Sequence, residues 1–121
     1  MNLENEETLI MANNLLGSRN RVSLTSKRLV FEEGNGYLLI FWKQYHQLLL
    51  EDIEEASVDK DSFIVDSIKI KLKNGANMRV QFKLPDSETL YPDPELDEFC
   101  SIAERWAHAI NRQVGKYVLI A

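Results

Sequence analysis

The chain has 121 residues, 45% of them hydrophobic and 27% charged, a balance that suits one folded domain and is too apolar for a disordered segment. Its single cysteine, Cys100, excludes an internal disulfide and a zinc site built on paired thiolates. The net charge of −5 argues against a whole-surface attraction to nucleic acid or acidic lipid.

The chain opens with Met1-Asn2-Leu3-Glu4-Asn5-Glu6-Glu7, acidic and without the apolar run of a secretory signal, so the expected location is cytoplasmic, with peripheral membrane attachment as an option. Apolar and polar residues then alternate in Glu7–Asn13, Arg21–Thr25 and Leu29–Glu33, which predicts three antiparallel strands joined by short polar turns. Lys27 and Arg28 read as solvated charges of the second turn. Residues 36–47 do not alternate, because Leu38, Leu39, Ile40, Phe41 and Trp42 are consecutive. A short buried helix is the expectation there, and a strand buried on both faces is the alternative.

Ile53–Asp59 predicts a further strand, its pattern weakened by Glu54 and Glu55, and Phe63–Val65 is a short candidate. Ser67–Lys73 and Asn77–Leu84 flank Asn74-Gly75-Ala76 and form the clearest hairpin. Ile68, Ile70 and Leu72 share a face with Met78, Val80 and Phe82 only if Ile70 lies opposite Val80 and Leu72 opposite Met78. A two-residue turn would reverse the faces, so a three-residue connection or a bulge is expected. Lys69, Lys71, Lys73, Arg79 and Lys83 then line the other face as a basic stripe. Such a stripe is a solvated strand surface, is neutralised by the chain's own Glu51, Glu54 and Glu55, or meets an acidic ligand.

All three prolines fall in residues 85–94. An amphipathic helix follows, from about Pro94 to Gln113, with Asp93 as its N-cap and Gly115 closing it in the left-handed conformation. Leu96, Phe99, Ala103, Trp106, Ala107 and Ile110 make its apolar stripe, with Trp106 as the central plug. The last residues, Tyr117–Ala121, are apolar and need cover: within the domain as a returning strand, or in a homo-oligomer, unless they lead onward in a longer protein. The tail and the run Leu38–Trp42 together favour a homo-oligomer.

Six or seven short strands and a closing helix suggest a mainly β fold, a small antiparallel barrel plugged by the helix. Leu24-Thr25-Ser26-Lys27-Arg28-Leu29-Val30-Phe31 resembles a stretch of GRAM domains and of bacterial pleckstrin-homology-like domains. Leu48-Leu49-Leu50-Glu51-Asp52-Ile53 resembles the step that follows in those families, and Ile68–Gly75 with Phe82 resembles their late hairpin. The similarity spans about residues 6–112. It implies a barrel of about seven strands capped by one C-terminal helix, and a module that binds phosphoinositides, peptides or partner proteins.

The phosphoinositide pattern of such domains needs a lysine in the first strand and a basic pair at the start of the second. Arg19 and Arg21 supply the pair, residues 1–18 hold no Lys or Arg, and Lys43 could share the rim. Guanidinium groups suit phosphate. Catalysis has no such support: His46 and His108 are far apart in sequence, Cys100 reads as a half-buried structural thiol, and the Glu51, Asp52, Glu54, Glu55 cluster lacks calcium-loop spacing. Nucleic acid is not expected, because no aromatic residues interleave with the lysines. The sequence therefore points to a non-catalytic module, without cofactor or metal, that binds a protein or peptide partner, with acidic membrane lipid as the rival ligand.

Overall fold

The computed structural model describes residues 3–15, 20–34, 42–60, 66–82 and 101–120, with backbone only at 33–34, 42–45 and 116–120. Among these, seven antiparallel strands form two sheets, and one helix follows them. Strands β1 (Leu9–Asn14), β2 (Arg21–Thr25), β3 (Arg28–Gly34) and β4 (Trp42–Leu49) make the first sheet, in that order. A single 3₁₀ turn, Leu50–Asp52, leads to the second sheet of β5 (Ile53–Val58), β6 (Ser67–Leu72) and β7 (Asn77–Gln81). The two sheets meet at a bridge between Leu15 and Phe82.

The first three strands and the late hairpin lie where alternation predicts them. The interlude differs: residues 42–47 belong to β4, not to a helix, and pair with β3 from Arg28 opposite Leu49 to Glu33 opposite Gln44. β3 otherwise has an open edge, and satisfying its backbone groups outweighs the lack of alternation. Residues 35–41 and the candidate Phe63–Val65 lie outside the described residues.

β5 shows why Glu54 and Glu55 disturb the pattern. Ile53 is opposite Leu72 while Glu55 is opposite Lys71, so one extra residue sits in β5 as a bulge. Both glutamates face solvent, and Ala56 returns to the buried face.

The hairpin has the expected three-residue connection, but its pairing is offset by two residues. Ile70 faces Met78 and Ile68 faces Val80, in place of Ile70 with Val80 and Leu72 with Met78. The connection is Lys73-Asn74-Gly75, closed by Leu72 N–H donating to the Ala76 carbonyl at 2.9 Å. Gly75 takes φ 94°, the left-handed position such a loop requires, and Asn74 Oδ1 accepts from Ala76 N–H at 2.9 Å. A shift of two keeps every side chain on its face, so the buried set is unchanged.

Helix α1 (Ile102–Ile120) runs past the expected end at Gln113. Ser101 is not helical; its Oγ accepts from Glu104 N–H at 3.1 Å and donates to Glu104 Oε1 at 3.0 Å. Asp66, from the approach to β6, accepts from the N–H groups of Ile102 and Ala103 at 2.8 and 3.3 Å. The start is thus capped partly by another segment, which no local reading could show. Asp93, Pro94, Leu96, Phe99 and Cys100 lie outside the described residues. At the other end the backbone stays helical through Gly115 to Ile120, so the tail is not a returning strand. A helical glycine costs only about 1 kcal/mol relative to alanine, too little to stop the helix.

The core lies between the sheets and α1. Met11, Val22, Leu24 and Leu29 of the first sheet meet Ile53, Ile68, Ile70 and Val80 of the second, and Ala103, Trp106 and Ile110 close it from the helix. Trp106 is fully buried, as its place in the stripe predicts. Its ring stacks on Phe82 with centroids 5.2 Å apart, and its Nε1–H donates to Asn13 Oδ1 at 3.1 Å.

The helix also closes one sheet edge. Asn111 donates from Nδ2 to the Ala56 carbonyl and accepts at Oδ1 from Ala56 N–H, both at 2.8 Å. The side-chain amide thus replaces a neighbouring strand along β5.

Candidate functional site

Of the expected rim of Arg19, Arg21 and Lys43, the described residues include the side chain of Arg21 alone. Arg19 and Lys83, and the side chain of Lys43, lie outside them. Arg21 Nη2 sits 3.6 Å from Glu32 Oε1, its partner across the β2–β3 ladder, and Glu32 is buried. In the hairpin stripe Lys69, Lys71, Lys73 and Arg79 are exposed, as the alternation requires. Asp59, whose carboxylate is fully buried, holds Arg79 Nε at 2.9 Å and Lys69 Nζ at 3.8 Å, and accepts from Ser67 Oγ at 3.1 Å. Lys71 lies 3.8 Å from Glu54. Of the acids that the sequence offers as one source of neutralisation, Glu54 lies beside Lys71. Asp59, held in place by its N–H bond to the Ser67 carbonyl, is a further acid on this face that the sequence pattern does not single out.

The turn between β2 and β3 holds the largest departure. Arg28 is not a solvated charge but only 5% exposed. Its Nε and Nη2 donate to the two oxygens of Glu7 at 2.8 and 3.0 Å, and its Nη1 donates to Gln47 Oε1 at 2.7 Å. Thr25 Oγ1 donates to Glu7 at 2.6 Å, and Glu4 N–H donates to it at 2.8 Å. The Arg28 bonds, helped by those of Thr25 and Glu4, outweigh the cost of burial and bring the Glu7 carboxyl down to about 2. Lys27 Nζ, donating to the Asn5 carbonyl at 2.9 Å, and Ser26, paired with Thr8, tie the same N-terminal segment to the turn. This constellation is closed and fully engaged, and it reads as a structural latch.

Among the described residues an accessible concavity lies elsewhere, between β7 and the inner face of the first sheet. A cleft of about 580 Å³ is lined by Leu15, Asn20 and Phe31 on one side and by Met78, Arg79, Val80 and Gln81 on the other. A second depression of about 360 Å³ shares Leu15, Asn20, Phe31 and Met78 and reaches Glu32 and His46. Phe31 and Met78 read from sequence as core. They share faces with buried residues and pack against the core, but remain half-buried because they line this cleft. No local signal distinguishes them from their buried neighbours.

Among the described residues no group of His, Cys, Asp and Glu could hold a metal ion, and no helix is long and apolar enough to cross a membrane. No protein-family model matches the sequence, and comparisons with curated proteins and with solved structures find no match.

Proposed function

We propose that the chain is a non-catalytic interaction module of the pleckstrin-homology-like kind, which holds a protein or peptide partner in the cleft between β7 and β3. The segment Leu24–Phe31, the two antiparallel sheets and the C-terminal helix support the fold assignment. The observation that carries the function is the cleft itself, where apolar side chains of Leu15, Phe31 and Met78 stay accessible beside the polar groups of Asn20, Arg79 and Gln81. An apolar floor with a polar rim suits a partner's side chains.

Selection of binders from a displayed library of linear peptides, followed by resonance mapping on the labelled protein, tests this. Shifts at Leu15, Phe31 and Met78 are expected, as is at least tenfold weaker binding by Phe31→Ala. Selected peptides that map to other surfaces overturn the reading. Salt-sensitive sedimentation with anionic vesicles, lost in an Arg19/Arg21 double variant, replaces it with acidic-lipid recognition.

A further inference from the structure

We infer that the partner enters as an added β-strand on the edge of β7, and that it is an extended segment alternating apolar with acidic residues. This rests on the reading of the cleft as the partner site. The bond from Leu72 N–H to the Ala76 carbonyl makes those two residues a hydrogen-bonded pair. Antiparallel ladders alternate, so the pairs Ile70 with Met78 and Ile68 with Val80 also exchange bonds, while Lys71 with Asn77 and Lys69 with Arg79 do not. The backbone N–H and C=O of Asn77 and Arg79 therefore point away from β6, toward the cleft. β7 ends the order of its sheet, and among the described residues nothing pairs with that edge except the bridge at Phe82.

The opposite edge of the same sheet is treated differently. There the Asn111 amide occupies both backbone groups of Ala56. Among the described residues, one edge is blocked by a dedicated side chain and the other borders a cleft. An edge strand beside an apolar trough is the arrangement that recruits an extended peptide.

The pleat sets the chemistry of the occupant. Side chains level with Met78 and Val80 point inward, over Leu15 and Phe31, and call for apolar residues. The residue level with Arg79 points outward beside its guanidinium. Asp59 fixes that group through Nε at 2.9 Å, while the side chain is half exposed, so it is presented to a carboxylate of the occupant.

Three capped nine-residue peptides test the inference on the full, isotope-labelled chain: alternating valine and glutamate, alternating valine and lysine, and the first with its glutamates N-methylated. The valine–glutamate peptide is expected to shift the amides of Asn77 and Arg79, to bind at least tenfold more tightly than the lysine peptide, and to lose binding on N-methylation. Arg79→Ala is expected to reduce the preference for glutamate over lysine. Arg79→Pro removes an N–H that β6 does not use, and is expected to weaken the valine–glutamate peptide at least tenfold beyond Arg79→Ala. The N-methylated peptide carries the same test if that variant misfolds.

Binding that tolerates N-methylation and maps to Leu15, Phe31 and Met78 overturns strand addition and leaves the cleft reading standing. Equal binding of the glutamate and lysine peptides overturns the acidic preference. Failure of all three peptides to shift any resonance overturns this inference, while the library selection still judges the cleft.

Discussion

Glu7→Gln is the most demanding test of how the fold is held together. The substitution keeps size and shape but removes the charge that two Arg28 nitrogens, Thr25 Oγ1 and Glu4 N–H all address. It also turns an amide N–H₂ toward donors, leaving Arg28 buried without its counter-charge. Breaking a buried pair by removing one partner costs about 3–5 kcal/mol. The lowered carboxyl gives an independent figure: holding it at about 2 rather than 4.5 corresponds to about 3 kcal/mol in favour of the ionised folded state. The two agree on a loss of about 3–4 kcal/mol at pH 7, measurable as the change in urea unfolding free energy. Because the folded-state pKa is depressed, the contribution is complete above about 4.5 and fades as the pH falls toward 2. The gap between wild type and Glu7→Gln should therefore close across that window. A gap below about 1 kcal/mol at pH 7, or one unchanged from pH 7 to pH 2, would refute the latch.

Trp106→Ala is expected to cost about 4–5 kcal/mol in urea unfolding, the upper part of the range for buried aromatics, because it empties the stack on Phe82 and strands the amide of Asn13; a cost under 1 kcal/mol would mean that the helix does not plug the core. Asn111→Leu is expected to lose about 2–3 kcal/mol, from two hydrogen bonds to a buried backbone, and to speed amide exchange at Ala56; unchanged exchange there would show that the edge cap carries no weight.

The pattern of side chains alone determines most of the strands of this protein. Val22 and Leu24, Ile68 and Ile70, and the stripe of Ala103, Trp106 and Ile110 are buried where a period of two or of three to four places them. The hairpin connection is likewise legible, since only an odd-length loop keeps the isoleucines and Val80 on one face. What the pattern cannot carry is any property that depends on a distant neighbour.

Arg28 reads as a turn charge until Glu7 and Gln47 close around it, and α1 starts at Ile102 because Asp66 supplies acceptors from another element. Residues 42–47 are strand because β3 needs a partner, although their own spacing does not ask for one. The cleft is the extreme case. Phe31 and Val22 sit opposite each other on one face, yet Val22 is buried and Phe31 is not. Alternation assigns a side chain to a face of its sheet; whether that face meets another layer there depends on how the sheets and the helix pack, and only the tertiary structure decides it.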